Sequence, residues 1–231
     1  MIDFSIFEKI SGVYFKNKDL LQEAFVHRSY INENPRLGLS HNERLEFLGD
    51  AVLELAVTDH LFRTYPLEDE GALTAYRAAL VNANTIASVA ERLTMNDYLL
   101  LSRGEAKDMG KARQYILANT FEAFVGAVYM DQGYDAAEKF IRASLFDLLH
   151  DIIEKKLWRD AKSLVQERAQ EHLSVTPSYR VVTEAGPDHD KQFTVGIYFG
   201  QDLIAKGNGK SKQEAEQAAA LAALEKKKWN D

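Results

Sequence analysis

Four carboxylates in the stretch His41 to Leu55, HNERLEFLGDAVLEL, have a spacing that could do chemistry. Glu43, Glu46, Asp50 and Glu54 stand at i, i+3, i+7 and i+11, so a helix of 3.6 residues per turn gathers them on one stripe. Leu45, Leu48, Val52 and Leu55 then fall on the opposite side. Like charges three or four residues apart destabilise a helix by roughly 0.2 to 0.5 kcal/mol per pair, and Phe47 and Leu53, flanking the stripe, are expected to reduce its solvation. A cation relieves both penalties. Carboxylate oxygens suit a hard divalent ion, and Mg2+ in particular takes one or two carboxylates while keeping waters that it can activate or share with a phosphate. The competing assignment is a solvated acidic face without a ligand.

A further acid sits apart in sequence. In ANTFEAFVGAVY, Glu122 is the only charge in the first turns of an apolar helix expected to run from Asn119. A charge in such surroundings needs a partner, because burial without one is costly. Asn119 and Glu122, three residues apart, also suit a capping box, with Asn119 as N-cap and Glu122 bonding back to it, and the two readings are compatible.

The elements that must position these groups follow from the pattern. Residues 1–34 read as helical, with Phe7, Ile10, Phe15, Leu20, Leu21, Phe25 and Val26 on an apolar face; Asn32 to Ser40, with Pro35 and Gly38, reads as the loop into the acidic helix. His27 reads as a hydrogen-bonded structural histidine. After Tyr65-Pro66, the acids Glu68, Asp69 and Glu70 open another helical pattern, where they complement the helix dipole. Arg103, Lys107, Lys111 and Arg113 form a polar, glycine-punctuated loop before Asn119, and residues 135–159 close the helical part.

From Asp160 the period changes. DAKSLVQERAQEHL reads as a helix, PSYRVVTEAG, KQFTVGIYFG and DLIAKGNG as strands, and KSKQEAEQAAALAALEKKK as a second helix. Ser211 and Glu214 have capping-box spacing. Lys210 and Lys212 therefore lie at a helix N-terminus, where a cation is unfavourable unless an anion binds or the lysines are simply solvated.

Composition agrees with a globular chain: 46% of residues are hydrophobic and 27% charged, which excludes a disordered or fibrous protein. No apolar run reaches the roughly 18 to 20 residues that span a bilayer, and the acidic N-terminus lacks a signal-peptide pattern, so a soluble, unexported chain is expected. The absence of cysteine excludes disulfides, thiolate zinc sites and cysteine nucleophiles, and is compatible with a reducing cytoplasm. A formal charge of -7 argues only weakly against a nucleic-acid partner, since one basic face can bind phosphates under a negative total.

The core ExxEFLGDAVL, the preceding LLQEAFVHRSY and the stretch Ser102 to Tyr134 together resemble the ribonuclease III family, while the α-β-β-β-α unit with GNGKSKQEAEQAAA resembles a double-stranded-RNA-binding domain. The resemblance implies a mainly α fold: an all-helical endonuclease domain over residues 1–156, then a small α+β RNA-binding domain over 157–231, joined by a short junction near 155–160. It implies cleavage of double-stranded RNA by metal-assisted hydrolysis to 5'-phosphate and 3'-hydroxyl ends, in rRNA and mRNA processing, by a cytoplasmic homodimer using Mg2+, with Mn2+ as a possible substitute. Asp50 and Glu122 are the implied catalytic residues and Glu46, Asp50, Asn119 and Glu122 the implied metal ligands, with Glu43 and Glu70 as additional acids. The family carries an aspartate where this chain has Asn119, so three carboxylates remain for one ion, and a cleavage-impaired duplex-binding protein stands as the alternative function. On the RNA side the resemblance assigns Ser163, Gln166, Glu167 and Gln170 to one minor groove, His189 to a second, and Lys210 and Lys212 to the phosphates between. Gln213 and Glu216 occupy positions where many such domains carry lysines.

Overall fold

In the computed structural model, residues 2–154, 158, 161–187 and 191–229 are described. The chain divides into two compact units, Met1–Trp158 and Arg159–Asp231. The junction expected near 155–160, the domain boundary at 156/157 and His189 fall largely or wholly outside the described residues.

Among its described residues the first unit carries α1 (Ser5–Ser11), α2 (Lys18–Ala24), α3 (Arg28–Glu33), α4 (Glu43–Thr64), α5 (Glu70–Leu80), α6 (Ala83–Arg92), α7 (Lys111–Gln132) and α8 (Tyr134–Glu154). The expected helical stretch over residues 1–34 is thus three short helices. Gly12, at φ 70°, ends the first, and Asn17 and His27 cap the next two by accepting from the backbone N–H groups of Asp19 and Ser29. His27 is the hydrogen-bonded structural residue the sequence suggested, and burial holds its imidazole below the usual pKa. At α5 the dipole chemistry comes from Asp69, whose carboxylate accepts from the Ala72 N–H.

One boundary differs in a way that matters. α7 begins at Lys111, eight residues before Asn119, because no glycine or proline interrupts the run after Gly110. Asn119 therefore lies two turns inside the helix, and the capping-box reading of Asn119 and Glu122 is overturned. Arg113 moves from the expected loop into the helix, where it is buried and donates to the Asn96 side chain and the Glu105 carbonyl.

The core of this unit forms where α4 and α7 cross, with Leu53, Ala56 and Val57 joining Phe121, Phe124, Val125 and Val128. Aromatic edges lock the N-terminal helices onto it: Phe7 meets Phe25 at 4.9 Å and 80° and Phe124 at 5.2 Å and 87°.

The second unit has the expected order: α9 (Ala161–Leu173), β1 (Pro177–Ala185), β2 (Gln192–Phe199), β3 (Asp202–Gly209) and α10 (Lys212–Lys227). The strands form an antiparallel sheet in sequence order. Val165 and Ala169 of α9, Ile197 and Phe199 of β2, and Ala219, Ala220, Ala223 and Leu224 of α10 make a separate core. Alanine at those α10 positions lets the helix lie close on β3, where a Cβ on Gly207 would come 2.1 Å from the Ala219 nitrogen.

Candidate active site

The acidic centre is built by two glycines. A Cβ on Gly49 of α4 would lie 1.7 Å from the Glu122 carbonyl oxygen, and one on Gly126 of α7 would lie 2.2 Å from the Leu45 carbonyl oxygen. The two helices therefore touch backbone to backbone, and no larger residue fits at either position. Gly49 precedes Asp50 and follows Glu46 by three residues, so this contact delivers both acids to Glu122.

The electrostatics record the gathering. Burial, then the charges of Asp50, Glu46 and Glu54, push the Glu122 carboxyl up to about 7. Burial and the neighbouring Glu43 and Asp50 also raise Glu46, against which Asn119 acts by hydrogen bonding to the Glu46 side chain. Asn119 is thus placed in the cluster, bonded to the acid it stands beside. Glu54 is partly neutralised by Arg77 of α5, whose Nε lies 2.9 Å from its carboxylate.

Among the described residues, no three Asp, Glu or His side chains already converge as a complete metal cage. A Mg2+ site does not need such a cage, because this ion takes one or two protein carboxylates and fills its remaining positions with water and substrate phosphate. The donor set fits it in kind, with oxygen atoms only and a carboxyl that burial and its acidic neighbours raise to about 7, so that a cation competes with a proton there.

The remaining acids lie elsewhere. Glu43 sits at the start of α4, 3.4 Å from Arg28 and 3.8 Å from His41, near enough to act on Glu46. Glu70 does not join the cluster; it lines a depression with Thr58, Leu61, Phe62 and Arg77. Thr58 alone is roughly 12 Å along α4 from Asp50 at 1.5 Å per residue.

α4 also differs from its expected division into two faces. Leu53 is core instead of flanking the acids, and Leu55 is 57% exposed instead of buried. Phe47 and Phe62 are 82% and 72% exposed, and with Ala51, Leu55 and Thr58 they form a continuous outward stripe at helical spacing. The helix has three faces: core, acids and an open apolar stripe. The glycine contact and the apolar stripe were missed in the sequence; the i, i+4, i+8, i+15 spacing of Phe47, Ala51, Leu55 and Phe62 was the signal for the second.

In the second unit, Ser163, Gln166, Glu167 and Gln170 share one exposed surface of α9. Lys210 and Lys212 flank Ser211, which caps α10 by accepting from the Glu214 N–H, while Glu214 accepts from the Lys210 N–H. Both lysine side chains are exposed. No described helix is long and apolar enough to cross a membrane.

Residues 17–149 match the family described as ribonuclease-III-like, and residues 161–227 match the double-stranded RNA binding motif. Ribonuclease 3 of Borreliella burgdorferi is 45% identical over 214 residues, 92% of this chain and 86% of the relative. Ribonuclease 3 of Carboxydothermus hydrogenoformans is 45% identical over 218 residues, 94% and 93% respectively. Among solved structures, the nuclease domain of ribonuclease III from Campylobacter jejuni is 36% identical with a TM-score of 0.55, covering 62% of this chain and 98% of that domain; it was described for flexibility in a region involved in dimer formation. These matches give the alternative of a cleavage-impaired binder no support.

Proposed function

Because this chain belongs to the ribonuclease III family and is an endoribonuclease that cleaves double-stranded RNA, we propose that it cuts at the cluster of Glu46, Asp50, Asn119 and Glu122, with Mg2+ as its metal and Mn2+ as a substitute. The carrying observation is the backbone contact at Gly49 and Gly126, which puts acids of two helices within one another's field. When bound, the ion supplies a polarised scissile phosphate and a water of lowered pKa. Glu122 must surrender its proton to serve, Asp50 offers an exposed carboxylate, and Asn119 holds Glu46 in place. Hydrolysis at the P–O3' bond leaves a 5'-phosphate and a 3'-hydroxyl. Precursor rRNA and mRNA in the cytoplasm are the substrates this reading assigns.

The second unit holds the duplex by its A-form shape, through Ser163, Gln166, Glu167 and Gln170 in one minor groove, His189 in the next, and Lys210 and Lys212 on the phosphates between. The working form is a homodimer. Its support is the stripe of Phe47, Leu55 and Phe62, an exposed apolar surface of the kind that a two-fold interface buries. Glu70 lines one depression with Phe62, at the end of that stripe. Glu43 adds a carboxylate at the rim.

Cleavage of a long perfect RNA duplex with Mg2+ or Mn2+ tests the site. Glu122→Gln should slow cutting by at least about 100-fold, as expected for loss of a metal-site group, and leave duplex binding intact. Asn119→Asp should lower the metal concentration required. Cutting by Glu122→Gln at the wild-type rate would show that the cluster is not the cutting centre.

A further inference from the structure

Between the two RNA-facing elements of the second unit lies an ion pair. Lys162, one residue before Ser163, holds its Nζ 2.6 Å from Glu216 Oε2 and 5.1 Å from the centre of the Tyr179 ring. The two side chains are 33% and 28% exposed, so the pair is neither buried nor free in water. Its place on the surface follows from helical spacing. Lys162 stands one turn before Gln166 on α9, and Glu216 one turn after Lys212 on α10, so the pair bridges the groove-reading row to the phosphate-gripping end. A duplex approaching this face meets Lys210 and Lys212 as available cations. At Lys162 it meets a charge already neutralised, and at Glu216 a charge of its own sign.

We propose that the Lys162–Glu216 bridge withholds a cation from the RNA: it fixes α9 against α10 and limits the grip on the phosphate backbone, leaving recognition to the groove contacts. This rests on the reading of α9 and α10 as the RNA face. Backbone neutralisation is the part of binding that any polyanion can share, and each phosphate contact made adds about 0.9 to the slope of log affinity against log salt for a duplex. Removing the carboxylate frees Lys162 for a phosphate and removes a repulsion.

The test is binding of the full-length chain to an RNA duplex of about 20 base pairs, longer than the roughly 16 one such domain spans, in chelator so that nothing is cut. Glu216→Gln keeps the shape and loses the charge. It should bind more tightly at low salt, and between 50 and 200 mM salt lose roughly 3.5-fold more affinity than the wild type, the effect of one added phosphate contact. Adding Lys162→Met to Glu216→Gln should return the slope to the wild-type value. A bridge with a purely structural role would change the melting temperature and leave the slope alone, and an unchanged slope in Glu216→Gln overturns the proposal. Lys210→Ala with Lys212→Ala separates the two readings: a shallower slope there with no change in Glu216→Gln keeps the RNA face and sinks the bridge, whereas no change in either sinks the RNA face itself.

Discussion

Glu122 carries the sharpest single-residue consequence. Its carboxyl titrates near 7 in the folded, metal-free protein against an ordinary 4.5, so the folded state binds this proton more tightly than the unfolded chain does. The stabilisation is complete below the unfolded value and is lost as pH rises through about 7. Thermal melts in chelator should therefore show the wild type falling behind Glu122→Gln between pH 5 and 7.5. Mg2+ should recover the wild type at the upper end and help the Gln variant far less, since the ion replaces a proton that glutamine never holds. Parallel melting curves for the two proteins across that range would contradict the placement of Glu122 among Asp50 and Glu46. At this scale the sequence showed the types and spacing of the α4 acids, because a single helix sets both. It did not say that Asn119 bonds to Glu46, since a contact between residues 46 and 119 is created only when two helices cross.

The crossing itself is the property of α4 and α7. Where their backbones meet at Gly49 and Gly126, one added methyl group has no space, and the obstacle is backbone that no rotamer change can move. Gly49→Ala should cost at least about 3 kcal/mol of stability, at or beyond the usual range for overpacking, and any folded fraction should cleave poorly because the helices have separated. Gly104→Ala is the control: its new Cβ meets nothing nearer than the Ser102 hydroxyl at 3.8 Å, so the melting temperature should hardly move. Helix and strand types were legible from periodicity, most fully in the second unit, where β1 to β3 fall on the expected stretches. Boundaries were less so. The start of α7 at Lys111 was hidden because Lys111, Arg113 and Gln114 look like loop residues until the burial of Arg113 by Asn96 and Glu105 is known. Leu55 misled for the opposite reason, as an apolar residue kept outside.

For the whole molecule, two separate cores mean that each unit rests on its own packing, and the proposed dimer makes cutting depend on association. Phe47→Asp places a charge in the middle of the apolar stripe without touching the core, since Phe47 is 82% exposed. Sedimentation should show the wild type as a dimer and this variant as a folded monomer, its melting temperature lowered only by the lost association, with cleavage greatly reduced. A variant that remained dimeric would move the interface off α4. The glycine contact also bears on how such an enzyme can change over generations. With no side chain between α4 and α7 where they touch, the spacing of Glu46, Asp50 and Glu122 offers selection nothing to adjust in small steps. Substitutions that tune stability have room in the outer helices and the second unit, and leave the distance between α4 and α7 at this contact unaltered.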